Sequence, residues 1–432
     1  MATTPTPGVS PPEALSMGAV LRIPVMRRLW YAQIVSTFGD FLALFAVIGI
    51  LTFNLRATAQ QVTGIQIAYL LPIAVLGILA GVFVDRWPLK PTMVSSDLLR
   101  AGLCLLLLLA TRMWHFYAVL AAISVVSSFF GPAQGVAIRS AVPLHGLRSA
   151  NALMQQVMFV TRIAGPAIAS LMVASFGAPS CYIADAASFV GSACLIASVH
   201  LSRPQQALAT EILKPLDKAS SLDEPTGIAK IWTDMKQGIG FIVHHAGLLF
   251  VILALASGMF VIGCFGPLIA VYVRDTLHAS TRVFGAASSM IGLGILVGIN
   301  LLNSFAKGIR NTVLVYSGLG GIALGLLMLT LLGFVWSTIL GNFIIGFSVA
   351  GIIIPSQTMI QQETPPALMG RVGSTVMSVV FAAQIAGLVL SGLLAQYIGV
   401  RQVFAICAGL LALLIVAGKL FMEPKGEGAA AA

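Results

Sequence analysis

Stretches of about twenty apolar residues recur along this chain, and that recurrence limits its fold more than any single motif. Each stretch can cross a hydrocarbon core of about 30 Å as a helix rising 1.5 Å per residue. The strands of a membrane barrel would alternate apolar and polar residues, and these runs do not. Only 9% of residues are charged, against about 25% in a soluble domain. The sequence therefore predicts an all-α membrane protein. Twelve spans fall at about 30–54, 64–85, 93–112, 116–138, 152–176, 179–200, 247–273, 283–304, 312–333, 335–358, 371–397 and 400–421.

One connection is long. Residues 201–246 are rich in Pro, Ser, Asp and Lys and divide the spans into a six-helix bundle at 30–200 and another at 247–422. The tails, 1–29 and 423–432, are expected to be disordered and peripheral. Ile228, Ile231, Trp232, Met235, Ile239 and Ile242 follow helical spacing. They predict an amphipathic helix in the linker, either lying on the membrane surface or simply joining the halves.

With the N-terminus inside, cytoplasmic segments and span ends hold 18 Lys and Arg, and the outer loops hold five: Arg56, Arg112, Arg274, Arg282 and Arg401. That bias predicts both termini in the cytoplasm of a cell (inner or plasma) membrane. The net charge of +10 belongs to this asymmetry, so no nucleic-acid partner is expected. Five single cysteines form no CxxC pair, which suggests neither a disulfide framework nor a metal site. Residues 1–29 lack a cleavable signal pattern.

An internal repeat runs through the sequence. "RIAG" at 162–165 meets "QIAG" at 384–387 at a shift of 222, "GDF" at 39–41 meets "GMF" at 258–260 at 219, and Gly64, Gly77 and Arg86 meet Gly285, Gly298 and Lys307 at 221. Charge is unequal between the copies. Asp40 meets Met259, Asp85 meets Ala306, Arg139 meets Gln361, Arg162 meets Gln384 and Asp185 meets Cys407. The N-terminal half is thus expected to handle charge coupling and the C-terminal half to offer a neutral wall.

Arg162 stands in the apolar run "FVTRIAGPAIA", where a charge costs roughly 2.5–3.5 kcal/mol even on insertion scales. Counting along the helices puts Asp40 at a similar depth, so Asp40 and Arg162 are expected to pair. The pair is either a static bridge or a proton-coupling device in which protonation of Asp40 releases Arg162. Gly165-Pro166 predicts a kink one turn later. Gln66, Gln155, Gln357 and Gln384 are candidate polar residues of a cavity between the bundles.

"GVFVDRWPLK" at 81–90 resembles the loop signature of the major facilitator superfamily. Gly81, Asp85, Arg86 and Lys90 match it, with Pro88 and Leu89 departing from it. The resemblance implies a two-bundle transporter working by alternating access, and a cytoplasmic latch built from Asp85, Arg86 and Lys90 with Arg139. A plain basic loop is the alternative. "SANALMQQVMFVTRIAGP", "IADAASFVGSA" and "IQQETPPALMGRVGS" are similar to the branch holding macrolide-type and enterobactin exporters. Gly165-Pro166 resembles the end of the fifth-span antiporter signature, whose other glycines are replaced.

These readings predict a proton-coupled exporter of small amphipathic molecules, a drug/proton antiporter driven by the proton gradient with no cofactor, acting as a monomer in the bilayer. A siderophore or lysophospholipid transporter, or a proton-coupled importer, is the alternative on the same fold. No HExxH, Walker A or nucleophile-elbow motif argues for an enzyme.

Overall fold

The structure, a computed structural model, describes residues 15–84, 87–199, 240, 242–243, 245–305, 308–365 and 368–422. Among them, twelve helices are long and apolar enough to cross a membrane. They are α1 Pro24–Gly49, α2 Ala59–Val84, α3 Leu89–Leu106, α4 Met113–Ala141, α5 Leu147–Phe176, α6 Ala178–Ala197, α7 Ala246–Asp275, α8 Thr281–Phe305, α9 Asn311–Leu331, α10 Val335–Glu363, α11 Met369–Ile398 and α12 Val400–Ala417. An even number of crossings puts both ends of the chain on one side. That side is called the terminal face below, and the opposite side the far face.

The six helix starts in the first half recur in the second at one constant shift of 222, from Pro24 and Ala246 to Ala178 and Val400. The first two pairs therefore sit at 222 rather than at the 219 and 221 read from the short matches. Asp40 corresponds to Ile262, not Met259, because "GDF" and "GMF" fall one helical turn out of register. Gly177 and Gly399, also 222 apart, make single-residue links before α6 and α12 with φ of 78° and 87°. That left-handed conformation carries no steric cost only for glycine, so each half closes its last two helices in the same way.

The first span begins at Pro24, and residues 15–29 are not a free tail. A short helix, Met17–Leu21, precedes α1, and Val20, Met26 and Leu29 are buried. Leu15 donates its N–H to the His145 carbonyl at 3.2 Å and accepts from Ser149 Oγ at 2.6 Å. Their burial over the α4–α5 turn offsets the entropy of ordering the segment. Residues 1–14, 423–432 and nearly all of the predicted linker helix lie outside the described residues.

The bundles meet along two seams, α5 against α8 and α2 against α11. Glycines decide how close they come. A Cβ on Gly285 or Gly392 would overlap Ser170 or Thr63, and one on Gly292 would lie 2.8 Å from the Arg162 carbonyl. Pro166 has no N–H to give that carbonyl, its i−4 partner in the helix. The absence of a side chain at Gly292 leaves room for that carbonyl between α5 and α8.

Contacts across the bundles concentrate at the far face. Arg274 at the end of α7 donates from Nη1 to the Thr52 and Ala57 carbonyls at 2.8 and 2.7 Å. Phe45 and Phe284 stack with centroids 4.5 Å apart. Among the described residues, these contacts join the two bundles at the far face.

Candidate functional site

The α3 sequence places Asp97 and Arg100 one turn apart on a buried face. The Arg100 guanidinium is sandwiched between the rings of Phe130 and Phe189, at 4.5 and 4.3 Å from their centroids. Such stacking suits a weakly hydrated planar cation held away from water. Arg100 binds the Asp97 carboxylate, and its Nη1 lies 3.9 Å from Asp40 Oδ2 on α1. The side chains differ in access: Asp97 is fully buried, whereas 25% of Asp40 is exposed.

A third carboxyl joins from α6. Gly39 has no side chain, so α1 can lie directly against Ser188 and Asp185; a Cβ there would sit 2.5 Å from Asp185 Oδ1. Asp185 accepts hydrogen bonds from Cys104 Sγ at 3.0 Å and Ser188 Oγ at 3.3 Å. Tyr69 stands within electrostatic reach of Asp40. Two carboxyls, from α1 and α3, thus contact one guanidinium inside the N-terminal bundle, and a third from α6 lies beside them against α1.

This arrangement corrects the expected Asp40–Arg162 pair. Asp40 pairs with Arg100, and Arg162 makes no ion pair or hydrogen bond among the described residues. Depth along a helix is countable from sequence, but direction around it is not. Phe41 packs against Gly165 of α5, which turns Asp40, about 100° away, toward α3. Arg100 had been counted among the cytoplasmic span ends; α3 starts at Leu89, which puts Arg100 about 16 Å along it. The i, i+3 acid–base pair on an otherwise apolar helix was the signal that could have found it.

Arg162 instead lines two chambers. The central one, about 330 Å³, lies between the bundles and is bounded by Gln66, Tyr69, Arg162, Pro166, Ser288 and Gln384 with apolar residues of α1, α7 and α8. The second, about 680 Å³, occupies the terminal-face half between α1, α5 and α8, where Trp30, Ile34, Gln156, Val160 and Ile299 form its walls. Arg162, Gly292 and Ile295 belong to both. Of the four predicted cavity glutamines, Gln66 and Gln384 line the central chamber. Gln155 and Gln357 line neither; Gln156, one step around the helix, takes the place expected for Gln155.

Of the expected latch, Asp85 and Arg86 lie outside the described residues. Gly81 falls in the last turn of α2, Lys90 in the first turn of α3, and Arg139 is exposed in the last turn of α4. Among the described residues, no group of three or more His, Cys, Asp or Glu could hold a metal.

Known proteins share this pattern. The chain is 26% identical over 406 residues to the uncharacterized MFS-type transporter YfiS of Bacillus subtilis strain 168, covering 91% of this chain and 93% of that protein. It is 26% identical over 410 residues to macrolide efflux protein A of Streptococcus pyogenes, covering 91% and 95%. The fold is similar to a POT family transporter solved with 5-aminolevulinic acid, with a TM-score of 0.66, 12% identity, and 92% and 96% of the two chains covered. The Major Facilitator Superfamily profile matches residues 29–388. With twelve crossings, two repeated bundles and a chamber between them, the chain belongs to the Major Facilitator Superfamily and is a multi-pass membrane transporter, not an enzyme.

Proposed function

We propose that this transporter is a proton-coupled exporter of small amphipathic molecules, with both termini in the cytoplasm and the present state open toward them. The observation that carries the coupling is the ratio of charges in the N-terminal bundle: Asp40 and Asp97 both contact Arg100, and Asp185 packs beside them against α1 at Gly39. One guanidinium balances one carboxylate. A balanced cluster therefore holds one of the two carboxyls that contact Arg100 as a neutral acid, since unpaired buried charge is costly. Protons are part of such a cluster and can be exchanged.

Asp40 is the point of exchange. It is partly exposed, and its neighbours Phe41 and Tyr69 line the central chamber. An ionised Asp40 draws Arg100 toward α1; a protonated Asp40 leaves Arg100 to Asp97 on its own helix. The proton thereby changes how strongly α1 is held to α3, and α1 is a wall of both chambers. Export rather than import is favoured by the macrolide efflux relatives, and a cytoplasmic terminal face by the Lys and Arg asymmetry.

The test uses the full chain in liposomes with a fluorescent amphiphile and an imposed pH gradient of either sign. Gradient-driven accumulation should fall to the no-gradient level in Asp40→Asn, while exchange of labelled for unlabelled substrate continues. A variant that still follows the gradient removes Asp40 from the mechanism.

A further inference from the structure

Among the described residues, Arg162 is the single Asp, Glu, Lys or Arg lining either chamber, and it lines both. Its side chain is exposed and takes no partner among the described residues. Asp40, the carboxyl expected to pair with it, is engaged with Arg100 and lines neither chamber. The charge of Arg162 is therefore uncompensated where a transported molecule would sit.

From this we infer that the chambers select amphiphiles with an anionic head, a carboxylate, sulfonate or phosphate, over cationic ones. The inference rests on the transport reading of the chamber and names the class of substrate. The guanidinium presents paired donors to an anionic group, and it repels an ammonium most strongly where the surroundings are apolar. The second chamber is large and almost wholly hydrocarbon-lined, with Trp30 as its aromatic wall, and takes the body of the molecule. Gln384 and Gln66 stand on the central side of Arg162 as neutral donors and acceptors for the head. Its volume of about 680 Å³ lies within the roughly 300–1,000 Å³ usual for small-molecule sites.

Three dansyl-labelled octyl probes, ending in a sulfonate, a hydroxyl or a trimethylammonium group, separate head from body. Binding to the full chain in nanodiscs of zwitterionic lipid is read from dansyl fluorescence, with empty discs subtracted. The sulfonate probe should bind at least about tenfold more tightly than the trimethylammonium probe. Arg162→Gln should abolish that difference while hydroxyl-probe affinity stays within about twofold, and Arg162→Lys should keep its sign. Gln384→Glu leaves Arg162 in place and offers it a carboxylate; it should weaken the sulfonate probe, strengthen the trimethylammonium probe and leave the hydroxyl probe within about twofold. Equal binding of the charged probes to the wild type, or an undiminished sulfonate preference in Arg162→Gln or Gln384→Glu, overturns the inference. No gradient is applied, so the two readings fail separately. A preference for anions without proton-driven transport sinks the coupling alone, and the reverse sinks this selectivity alone.

Discussion

The two bundles repeat the same six helices at one shift, yet their interiors differ. Asp40, Asp97, Arg100 and Asp185 in the first bundle correspond to Ile262, Leu319, Ile322 and Cys407 in the second. The rings that hold Arg100, Phe130 and Phe189, correspond to Ile352 and Leu411. Where the first bundle holds charges, the second has apolar residues, all buried except Ile262, which lines the central chamber. A six-helix unit of this kind therefore folds without the charges. Replacing a buried ion pair by well-packed hydrophobic residues is often neutral or stabilising, so the cluster is more than the fold requires. That excess supports the proposed coupling role over a purely architectural one.

The contrast persists in the packing of α3 and α9. In the second bundle, Gly318, Gly321 and Gly325 bring α9 against α10, and a Cβ on Gly321 would overlap Ser348. In the first bundle, α3 instead gives its buried face to Asp97 and Arg100. Close approach at glycine occurs in both bundles, at Gly39 in the first and at Gly321 in the second, but only the first adds side-chain charge to it.

The hardest test of this contrast is Arg100→Ala. It leaves Asp40 and Asp97 without their cation, and breaking a buried pair costs about 3–5 kcal/mol. Its thermal midpoint should fall well below that of Ile322→Val, its counterpart position, where about 0.5–1.5 kcal/mol is expected. Equal losses would erase the distinction between the interiors. Adding Asp40→Asn and Asp97→Asn to Arg100→Ala should recover part of the loss, because fewer charges are then stranded.

Arg274→Ala comes next. It removes two hydrogen bonds from a charged donor across the bundles, each worth about 1.5–3 kcal/mol at most. Thiol reagents should reach a cysteine placed at Phe45 from the far face faster than in the parent carrying Phe45→Cys alone. An unchanged rate would mean access from the far face does not depend on this arginine.

Gly321→Ala should cost about 1–3 kcal/mol by overpacking α9 against Ser348, measured by denaturation in detergent, with gradient response retained in the folded fraction. The smallest effect is expected for Cys407→Ser at the position matching Asp185. Stability should change by roughly 1 kcal/mol and pH-driven transport not at all, whereas Asp185→Asn should alter the transport. Loss of coupling in Cys407→Ser would show that the second bundle also carries it.

Much of this was legible in the residues. Long apolar runs give twelve crossings because hydrocarbon leaves a helix no other way to satisfy its backbone, and the observed helices overlap all twelve predicted spans. Gln66 and Gln384 were named as cavity residues and line the chamber. The partner of Asp40 was misread, because residue counts measure height in the membrane and carry no information on which neighbour a side chain faces. Residues 15–29 were misread too: their value lies in burial against α4 and α5, which no local composition reveals.

The sequence alone determined the number of crossings, the doubled bundle and the confinement of membrane-embedded charge to the first half. Hydrophobicity and repetition are properties of the chain in one dimension. The tertiary structure decided that Asp40 meets Arg100, that Asp185 joins them across Gly39, and that Arg162 stands unpaired between two chambers. Each depends on how a helix is turned about its own axis, and only packing against its neighbours sets that angle.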